Sequence, residues 1–390
     1  MARRDVVIYT LVKLAVPTET RPAEQRVAII PDIAGRLAGA GVEVAVQAGA
    51  GLRAHFPDAT YRDKGATVSE GATAVLGGAV VVAKVQPPTP EEVAQLEPGA
   101  TVVSFLQPTA QLDVVRALVA SKATAFSLDL LPRISRAQSM DALSSQATVS
   151  GYLAGLAAAE RLPKFFPMFM TAAGTVPPAK VLVLGAGVAG LQAIATARRL
   201  GAQVRAYDVR AAAKEEVQSL GASFVELGLE TQEGSGGYAR EQSEEFLARQ
   251  RELIGNEVAA ADVVITTAAI PGRKAPVLVT TAMVERMADG SVIVDLAADG
   301  GGNCELSQAG RDVEHGGVVV CGLTNPPSAM PTHASFLYSR NVFNFLSLVI
   351  VDGELRPDFD DEIVAGTCVV RAGEVVHAAT AELLHAEEAS

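Results

Sequence analysis

Three glycines ahead of a helical stretch carry the clearest chemical signal in this chain. In "VLVLGAGVAGLQAIATARRLGAQVRAYDVR", an apolar strand over residues 181–184 leads directly into Gly185, Gly187 and Gly190. This spacing suits a tight turn at Gly185, close approach of a pyrophosphate at Gly187 and close helix–strand packing at Gly190. The N–H groups and the positive end of the following helix can then hold the phosphates. The pattern predicts a dinucleotide site; the alternative is a glycine turn that binds nothing.

An acid follows the second strand of the same motif. A carboxylate at Asp208 can accept hydrogen bonds from the adenosine ribose hydroxyls, and its negative charge opposes a 2′-phosphate. The sequence therefore predicts NAD(H) as the cofactor bound on this chain. Arg205 and Arg210 lie near Asp208 in the sequence, so the NADP(H) alternative stays open.

Two further stretches hold groups suited to a ligand. "PRISRAQSMDALSSQ", residues 132–146, follows the apolar strand "TAFSLDLL" and contains two arginines, two glutamines, an acid and four serines. It either lines a binding site or forms a solvated loop that caps the next helix. In "ELGLETQEGSGGYAREQSEEF", Gly234, Gly236 and Gly237 precede Tyr238. That pattern predicts a mobile loop, which is either a lid over a cofactor or a flexible connection.

Composition narrows the class of protein. With 390 residues, of which 49% are hydrophobic and 19% charged, the chain is globular and long enough for two domains. The net charge of −12 argues against nucleic acid and anionic membrane surfaces as partners. Three cysteines without a CxxC pair suit a reducing cytoplasm, and the five histidines do not fall at metal-ligand spacing, so we expect no metal site. The apolar runs are shorter than the roughly 18 residues that span a bilayer, which predicts a soluble chain.

Strands alternate with helices along the whole sequence, which favours parallel sheets covered on both faces. We predict an α/β fold of two Rossmann-like, doubly wound parallel-sheet domains, separated by a cleft and joined by long helices. The first domain comprises residues 1–143 and 332–390, because the strand candidates in "GTCVVRAGEVVH" lie outside the second series. The second comprises residues 144–331 and carries the glycine motif.

Several of these stretches together resemble one family. The run "RISRAQSMD", the segment "FMTAAGTVPPAKVLVLGAGVAGLQAIATARRLGA", the motifs "GGYA" and "DLAADGGGNCE", and the opening "PTETRPAEQRVAIIPD" look like the NAD(H)-binding alpha subunit of proton-translocating nicotinamide nucleotide transhydrogenase. The resemblance covers nearly the whole chain. It implies a Si-specific enzyme component that passes hydride from NADH on this chain to NADP⁺ held on a partner subunit. It further implies a homodimer, an NADP(H)-binding beta subunit, a membrane-spanning proton-channel subunit, and a cytoplasmic position on the inner face of the cell membrane.

The resemblance also implies roles for individual residues. Arg133, Asp141 and Ser144 match positions that hold the nicotinamide and its ribose, and Gln138 matches the residue that reaches toward the second nicotinamide. Gln138, Arg133 and Asp141 are therefore the predicted catalytic residues. The other predicted cofactor contacts are Gly185, Ala186, Gly187, Val188, Ala189, Gly190, Asp208, Val209, Arg210, Gly237, Tyr238, Ala239, Ala268 and Leu296.

Alanine dehydrogenase shares the expected fold and is the competing interpretation. Forming or breaking an imine needs proton transfer and a carboxylate clamp. Arg26 and Lys84 stand where that relative binds its keto acid, and Asp299 resembles its aspartate near the cofactor. However, Gln107 occupies the position of the relative's histidine, and a glutamine cannot shuttle a proton. Hydride transfer between two nicotinamides needs close approach rather than an acid or base. The sequence therefore favours the transhydrogenase component.

Overall fold

The computed structural model describes residues 12–226, 244–269 and 274–388. The chain divides into two compact units, one formed by Met1–Gln146 with Pro327–Ser390 and the other by Ala147–Pro326. The strands are β1 (Lys13–Val16), β2 (Glu43–Gln47), β3 (Thr67–Ser69), β4 (Val81–Ala83), β5 (Thr101–Ser104), β6 (Thr124–Ser127), β7 (Phe169–Thr171), β8 (Gly174–Val176), β9 (Lys180–Leu184), β10 (Gln203–Tyr207), β11 (Ser223–Phe224), β12 (Val263–Thr266), β13 (Val292–Asp295), β14 (Asp312–His315), β15 (Val318–Gly322), β16 (Ile350–Val351), β17 (Glu354–Leu355), β18 (Cys368–Arg371) and β19 (Glu374–Val375).

Helices connect most of the strands. They are α1 (Pro31–Gly39), α2 (Asp58–Asp63), α3 (Ala72–Leu76), α4 (Pro90–Val93), α5 (Leu112–Ala120), α6 (Ala142–Arg161), α7 (Val188–Arg199), α8 (Ala213–Ser219), α9 (Glu244–Ala259), α10 (Thr281–Val284), α11 (Pro331–Val349), α12 (Glu362–Thr367) and α13 (Ala378–Glu388). Short 3-10 turns add Leu52–Ala54, Leu128–Leu130, Ser135–Met140, Ala298–Gly300 and Pro326–Ala329. No helix in the described ranges is long and apolar enough to cross a membrane.

The first unit is built on one eight-stranded sheet in the order β19-β18-β6-β5-β4-β1-β2-β3. The strands from β1 to β6 pair in parallel, whereas β18 pairs antiparallel with both β6 and β19. Two residues separate β18 from β19, and a turn that short allows only antiparallel pairing. The predicted parallel sheet is confirmed, with the correction that β18 runs antiparallel to its two neighbours, β6 and β19.

The second unit repeats this layout in a seven-stranded sheet, β11-β10-β9-β12-β13-β15-β14. Six strands are parallel in the doubly wound order that turns back between β9 and β12. The seventh strand, β14, had not been predicted; a Gly316–Gly317 turn folds it antiparallel onto β15. In open sheets of this kind, ligands bind beyond the carboxyl ends of the strands at the point of reversal. The reversal between β9 and β12 therefore marks where a ligand would sit.

Alanine-rich helices cover one face of this second sheet. Ala154 and Ala158 of α6 and Ala193 and Ala197 of α7 belong to the same buried cluster as the inward side chains of β9. The two helices approach closely at Gly151, where an added Cβ would lie 2.0 Å from the carbonyl oxygen of Ala189. This packing fixes the first turn of α7, which follows the glycine motif.

One segment differs from its predicted form. The prolines in "FFPMFMTAAGTVPPA" predict an extended connection, but the structure places an antiparallel hairpin there, formed by β7 and β8. The prolines flank the hairpin and do not interrupt either strand, so both strands keep their ladder donors. All six residues of β7 and β8 are exposed.

Candidate functional site

The glycine motif forms the turn between β9 and α7. Gly185 has φ +99°, a backbone conformation that favours glycine, and an added Cβ at Gly190 would lie 1.9 Å from the carbonyl oxygen of Gly185. Packing within the protein therefore requires both glycines. A Cβ added at Gly187 would meet nothing within 4 Å, so open space adjoins the backbone there. That space, at the amino end of a twelve-residue helix without a side-chain cap, fits a pyrophosphate.

Asp208 ties this turn to the end of β10. One carboxylate oxygen, Oδ2, accepts the backbone N–H of Ala186 at 2.7 Å, and Oδ1 accepts the backbone N–H of Arg210 at 2.9 Å. The Arg210 guanidinium pairs with the same carboxylate at 3.1 Å and donates to the carbonyl oxygen of Ala186 at 3.1 Å. Val209 between them is half-buried. The structure thus brings the predicted residues Ala186, Asp208 and Arg210 together.

The residues that follow β12 lie across the point of reversal from the glycine turn and form the other side of this site. Thr267 donates through its hydroxyl to the carbonyl oxygen of Gly185 at 3.0 Å, and an added Cβ at Gly185 would meet that hydroxyl at 2.5 Å. Ala268 comes next in the chain. The backbone N–H of Leu296, just past β13, donates to the carbonyl oxygen of Thr266 at 3.0 Å. The predicted contact Ala268 therefore lies just past β12, which borders the reversal, and Leu296 lies just past β13, the next strand in the sheet.

Asn303 fixes this side of the site, and sequence reasoning missed it. Its buried carboxamide accepts the N–H of Ala268 at 3.0 Å and donates to the carbonyl oxygens of Ala268 and Pro276, both at 2.8 Å. The fully buried Asp295 in turn accepts the backbone N–H of Asn303 at 2.7 Å. Both residues lie in "DLAADGGGNCE", but nothing in this motif indicates that the amide contacts Ala268 and Pro276.

The polar stretch at residues 132–146 is a 3-10 turn followed by the first turns of α6. Ala137 and Met140 are buried in the core of the first unit, while Arg133 and Gln138 are exposed. Asp141 stands directly before α6. Its carboxylate accepts the backbone N–H of Ser144 at 2.9 Å and the Ser144 hydroxyl at 2.6 Å. Asp141 thus caps the helix, as the alternative interpretation of this stretch expected.

Helix α11 holds that turn in place. Asn341, which is buried, donates to the carbonyl oxygen of Ser139 at 2.9 Å and accepts the hydroxyl of Ser145 at 2.7 Å. Asn344 donates to the same carbonyl oxygen at 2.8 Å. These bonds hold the backbone before Asp141 and the Ser145 side chain after it. The exposed Gln138 is therefore presented on a rigid turn.

The predicted loop residues Gly234, Gly236, Gly237, Tyr238 and Ala239 lie outside the described residues. Their assignment as a closing loop stays a prediction.

Comparison with known proteins identifies the family. The N-terminal domain model described as "Alanine dehydrogenase/PNT" matches residues 15–150, and the corresponding C-terminal domain model matches residues 154–378. The chain is 49% identical to a chain of NAD(P) transhydrogenase subunit alpha from Rhodospirillum rubrum, over 94% of this chain and 98% of that one.

The chain belongs to the alanine dehydrogenase/PNT family.

Solved structures agree with this assignment. A transhydrogenase from Sinorhizobium meliloti superposes with a TM-score of 0.85 at 43% identity, covering 93% of this chain and all of that one. An L-alanine dehydrogenase superposes with a TM-score of 0.82 but at 27% identity, covering 96% of this chain and 99% of that one. Both structures share the fold of this chain, and this chain is more similar in sequence to the transhydrogenase proteins than to the alanine dehydrogenase. The resemblance inferred from the sequence is confirmed.

Arg26 and Lys84, the two cations expected to face a keto acid in the competing interpretation, form buried ion pairs. Arg26 is buried and gives a two-pronged contact to Glu24, with Nε to Oε1 at 2.8 Å and Nη2 to Oε2 at 2.6 Å. Lys84 is 1% exposed and contacts Glu92 at 2.8 Å and Glu19 at 3.5 Å. Burial raises the pKa of the Glu19 carboxyl, against the opposing effect of Lys84. Both cations predicted to face a keto acid are thus paired with carboxylates of the chain itself.

A cavity of about 260 Å³ adjoins Lys84 in the first unit. Thr18, Gln47 and Lys84, at or just past the ends of three neighbouring strands, line it together with apolar side chains of α3 and the sheet. Glu92 lines the same cavity, and its other oxygen, Oε2, accepts the N–H of Thr89 in a capping box at the start of α4. An anionic substrate here would have to displace carboxylates that are already in place.

Two other residues from the alanine dehydrogenase comparison serve backbone turns. Gln107 is exposed with φ +48°, and its N–H donates to Asp129 at 2.6 Å. The Asp129 carboxyl also accepts the N–H of Leu106 at 2.8 Å, and burial raises its pKa. Asp299 is exposed and accepts the N–H of Asn325 at 2.9 Å. These contacts hold two loops, and neither requires proton transfer.

Proposed function

We propose that this chain is the NAD(H)-binding component of a Si-specific, proton-translocating transhydrogenase. It binds NAD(H) and passes hydride from NADH to NADP⁺ held by a beta subunit, and a membrane-spanning subunit couples the transfer to proton movement. The single observation that carries the proposal is the Asp208 carboxylate bonded to the N–H of Ala186 in the glycine turn. This bond holds the carboxylate close to the open backbone of Gly187 at the reversal of the sheet, which supports a ribose bound at Asp208 and a pyrophosphate bound at Gly187.

The chemistry of the bound nucleotide is hydride donation from its dihydronicotinamide ring. The residues of this chain bind and orient it. The α7 amino end and the open face of Gly187 hold the pyrophosphate, while Asp208 accepts the ribose hydroxyls. Thr267 and Asn303 keep the two walls of the site at a fixed spacing through their bonds to Gly185 and Ala268. Such preorganisation supplies orientation without any acid or base.

Arg133, Asp141, Ser144 and Gln138 are proposed to act at the reacting end. Arg133 and the Asp141–Ser144 pair hold the nicotinamide and its ribose, and Gln138 orients the second ring. The exposure of Gln138 on a turn fixed by Asn341 supports a contact that is completed by a partner. A carboxamide can donate and accept hydrogen bonds, so it can align two rings without adding charge.

The partners follow from the same proposal. The chain acts as a homodimer, positioned in the cytoplasm on the inner face of the cell membrane through its partner subunits. The β7–β8 hairpin supports the dimer, because a two-stranded hairpin with both strands exposed is marginal in water. Apolar side chains of the hairpin and of the residue before it are left uncovered, with Met170 77% exposed and Met168 57% exposed. A second copy of the chain could cover them.

Calorimetric titration of the chain tests the cofactor assignment. NADH should bind, and NADPH should bind at least about tenfold more weakly, a difference of about 1.4 kcal/mol. Equal affinities would contradict the assignment.

Alanine dehydrogenase activity is the second candidate function, favoured by Arg26 and Lys84. Because those cations are paired and Gln107 cannot transfer a proton, pyruvate, ammonia and NADH should give no alanine. Robust alanine formation would restore that candidate.

A further inference from the structure

The ribose end of the proposed site carries a neutral pair of side chains. Asp208 and Arg210 share a two-pronged contact, with Nε to Oδ1 at 3.1 Å and Nη2 to Oδ2 at 3.3 Å. The Asp208 side chain is 9% exposed and the Arg210 side chain 28% exposed. A 2′-phosphate entering this site would therefore meet a carboxylate whose charge is already compensated. Repulsion by Asp208 is then an incomplete explanation for a preference for NAD(H).

The hydrogen bonds that Arg210 already makes explain the remaining part of a preference for NAD(H). Arginine is the side chain best suited to bind a phosphate, because its planar donors match two phosphate oxygens. In dinucleotide folds, an arginine near this position accommodates the 2′-phosphate of NADP. Here Arg210 donates instead to Asp208 and to the carbonyl oxygen of Ala186. The guanidinium N–H groups that would bind a phosphate therefore donate to acceptors within the protein.

Arg205 provides an internal comparison. It lies on β10, two residues before that strand ends, and its guanidinium pairs with Glu257 at 2.6 Å. Its side chain is 52% exposed. Arg205 thus has the same charge and lies close in sequence, but it pairs with a different carboxylate. Substituting Arg205 therefore measures the effect of positive charge near β10, and substituting Arg210 measures the effect of its specific contact with Asp208.

We propose that Arg210 is a specificity-determining residue, a 2′-phosphate-binding guanidinium that Asp208 keeps occupied. Asp208 selects NAD(H) in two ways, since it accepts the ribose hydroxyls and withholds Arg210 from a 2′-phosphate. Neutralising Asp208 releases Arg210 and converts the site to one that accepts NADP(H). This inference rests on the proposed function, because it requires the adenosine ribose to lie at Asp208.

The test uses two small nucleotides, adenosine 5′-monophosphate and adenosine 2′,5′-bisphosphate, titrated calorimetrically into the full chain. In Asp208→Asn, the affinity for the bisphosphate relative to the monophosphate should rise about tenfold, or about 1.4 kcal/mol. Asp208→Asn with Arg210→Gln should lose this gain, whereas Asp208→Asn with Arg205→Gln should keep it. No gain in Asp208→Asn, or a gain that persists without Arg210, would overturn the inference.

Arg210→Gln alone gives a second test that leaves Asp208 in place. Removing the guanidinium leaves an uncompensated carboxylate, so the relative affinity for the bisphosphate should fall at least about threefold, or roughly 0.7 kcal/mol. An unchanged ratio would contradict the inference even if Asp208→Asn failed to fold. Failure of the wild-type chain to bind NADH would instead contradict the proposed function. The two failures are therefore distinguishable.

Discussion

The carboxylate of Asp141 accepts two hydrogen bonds from Ser144, one from the backbone N–H at 2.9 Å and one from the hydroxyl at 2.6 Å. Asp141, one of the predicted catalytic residues, is therefore also the residue that caps α6. A helix cap and a cofactor ligand can be the same side chain, because each carboxylate oxygen has two lone pairs. The two roles make different demands on charge, and this difference permits a separation by mutation.

Asp141→Asn should separate capping from cofactor binding. Asparagine caps helices about as well as aspartate, so the free energy of unfolding should change by less than about 0.5 kcal/mol. Loss of a charge-assisted hydrogen bond, worth about 1.5–3 kcal/mol, should weaken NADH binding about tenfold or more. Urea unfolding and NADH titration measure the two effects. Unchanged NADH affinity would reduce Asp141 to a cap. Asp361→Asn, at the cap of α12, is the matched control and should leave NADH binding unchanged.

Gln138→Asn should affect transfer more than binding. The substitution shortens the side chain by one methylene on a turn that Asn341 holds fixed. NADH affinity should stay within about threefold, while transfer to NADP⁺ in the complex with the beta subunit should fall about tenfold or more, because misplacement by about 1 Å is costly. Arg133→Ala should weaken both NADH binding and hydride transfer. Stopped-flow transfer rates and NADH titrations of the two variants give the comparison. An undiminished transfer rate in Gln138→Asn would show that Gln138 does not act at the reacting end of the cofactor.

Much of this architecture could be predicted from the sequence, because its signals are local. The capping box of Thr89 and Glu92 and the glycine turn at Gly185 depend on residues within a few positions of each other. The hairpin of β14 and β15 also had a local signal, the Gly316–Gly317 pair, but its first strand reads "DVEH" and looks like a polar loop. Edge strands of this kind lack the apolar run that identifies a central strand.

The buried charges could not be predicted. Glu19 and Glu24 stand in "PTETRPAEQR", a stretch whose polarity is typical of a surface, yet they are 4% and 0% exposed. Their burial depends on Lys84 and Arg26, and Lys84 is distant in sequence from Glu19. The contact of Asn303 with Ala268 is equally non-local. Periodicity and spacing carry no information about such pairings.

Glu24→Ala should destabilise the protein strongly. Arg26 would lose its two-pronged partner and remain a buried guanidinium with too few acceptors. Breaking a buried pair in this way costs about 3–5 kcal/mol. Glu387→Ala is the matched control, since it removes an exposed pair with Arg116 and should cost less than about 1 kcal/mol. Urea unfolding of both variants measures the difference, and equal stabilities would show that the Arg26–Glu24 pair contributes little.

Met170→Lys should dissociate the proposed homodimer. A lysine at this exposed hairpin position introduces a charge into the surface that a second copy would cover, and two such charges would meet across a symmetric interface. Size-exclusion chromatography with light scattering should give the wild type twice the molar mass of the variant. Leu52→Lys, at a site 55% exposed in the first unit, should remain dimeric. A wild-type monomer, or a Met170→Lys dimer, would contradict a dimer covered at the hairpin.

The most direct test of the central claim is a stopped-flow measurement of hydride transfer from NADH to NADP⁺, made with this chain alone and with a transhydrogenase beta subunit added. Hydride donation by a nucleotide bound at Asp208 needs an acceptor ring brought close by a partner. We predict rapid oxidation of NADH only when both proteins are present, and its loss when Asp208→Ala replaces the wild type. Transfer by the chain alone, or no transfer in the assembled complex, would contradict the account.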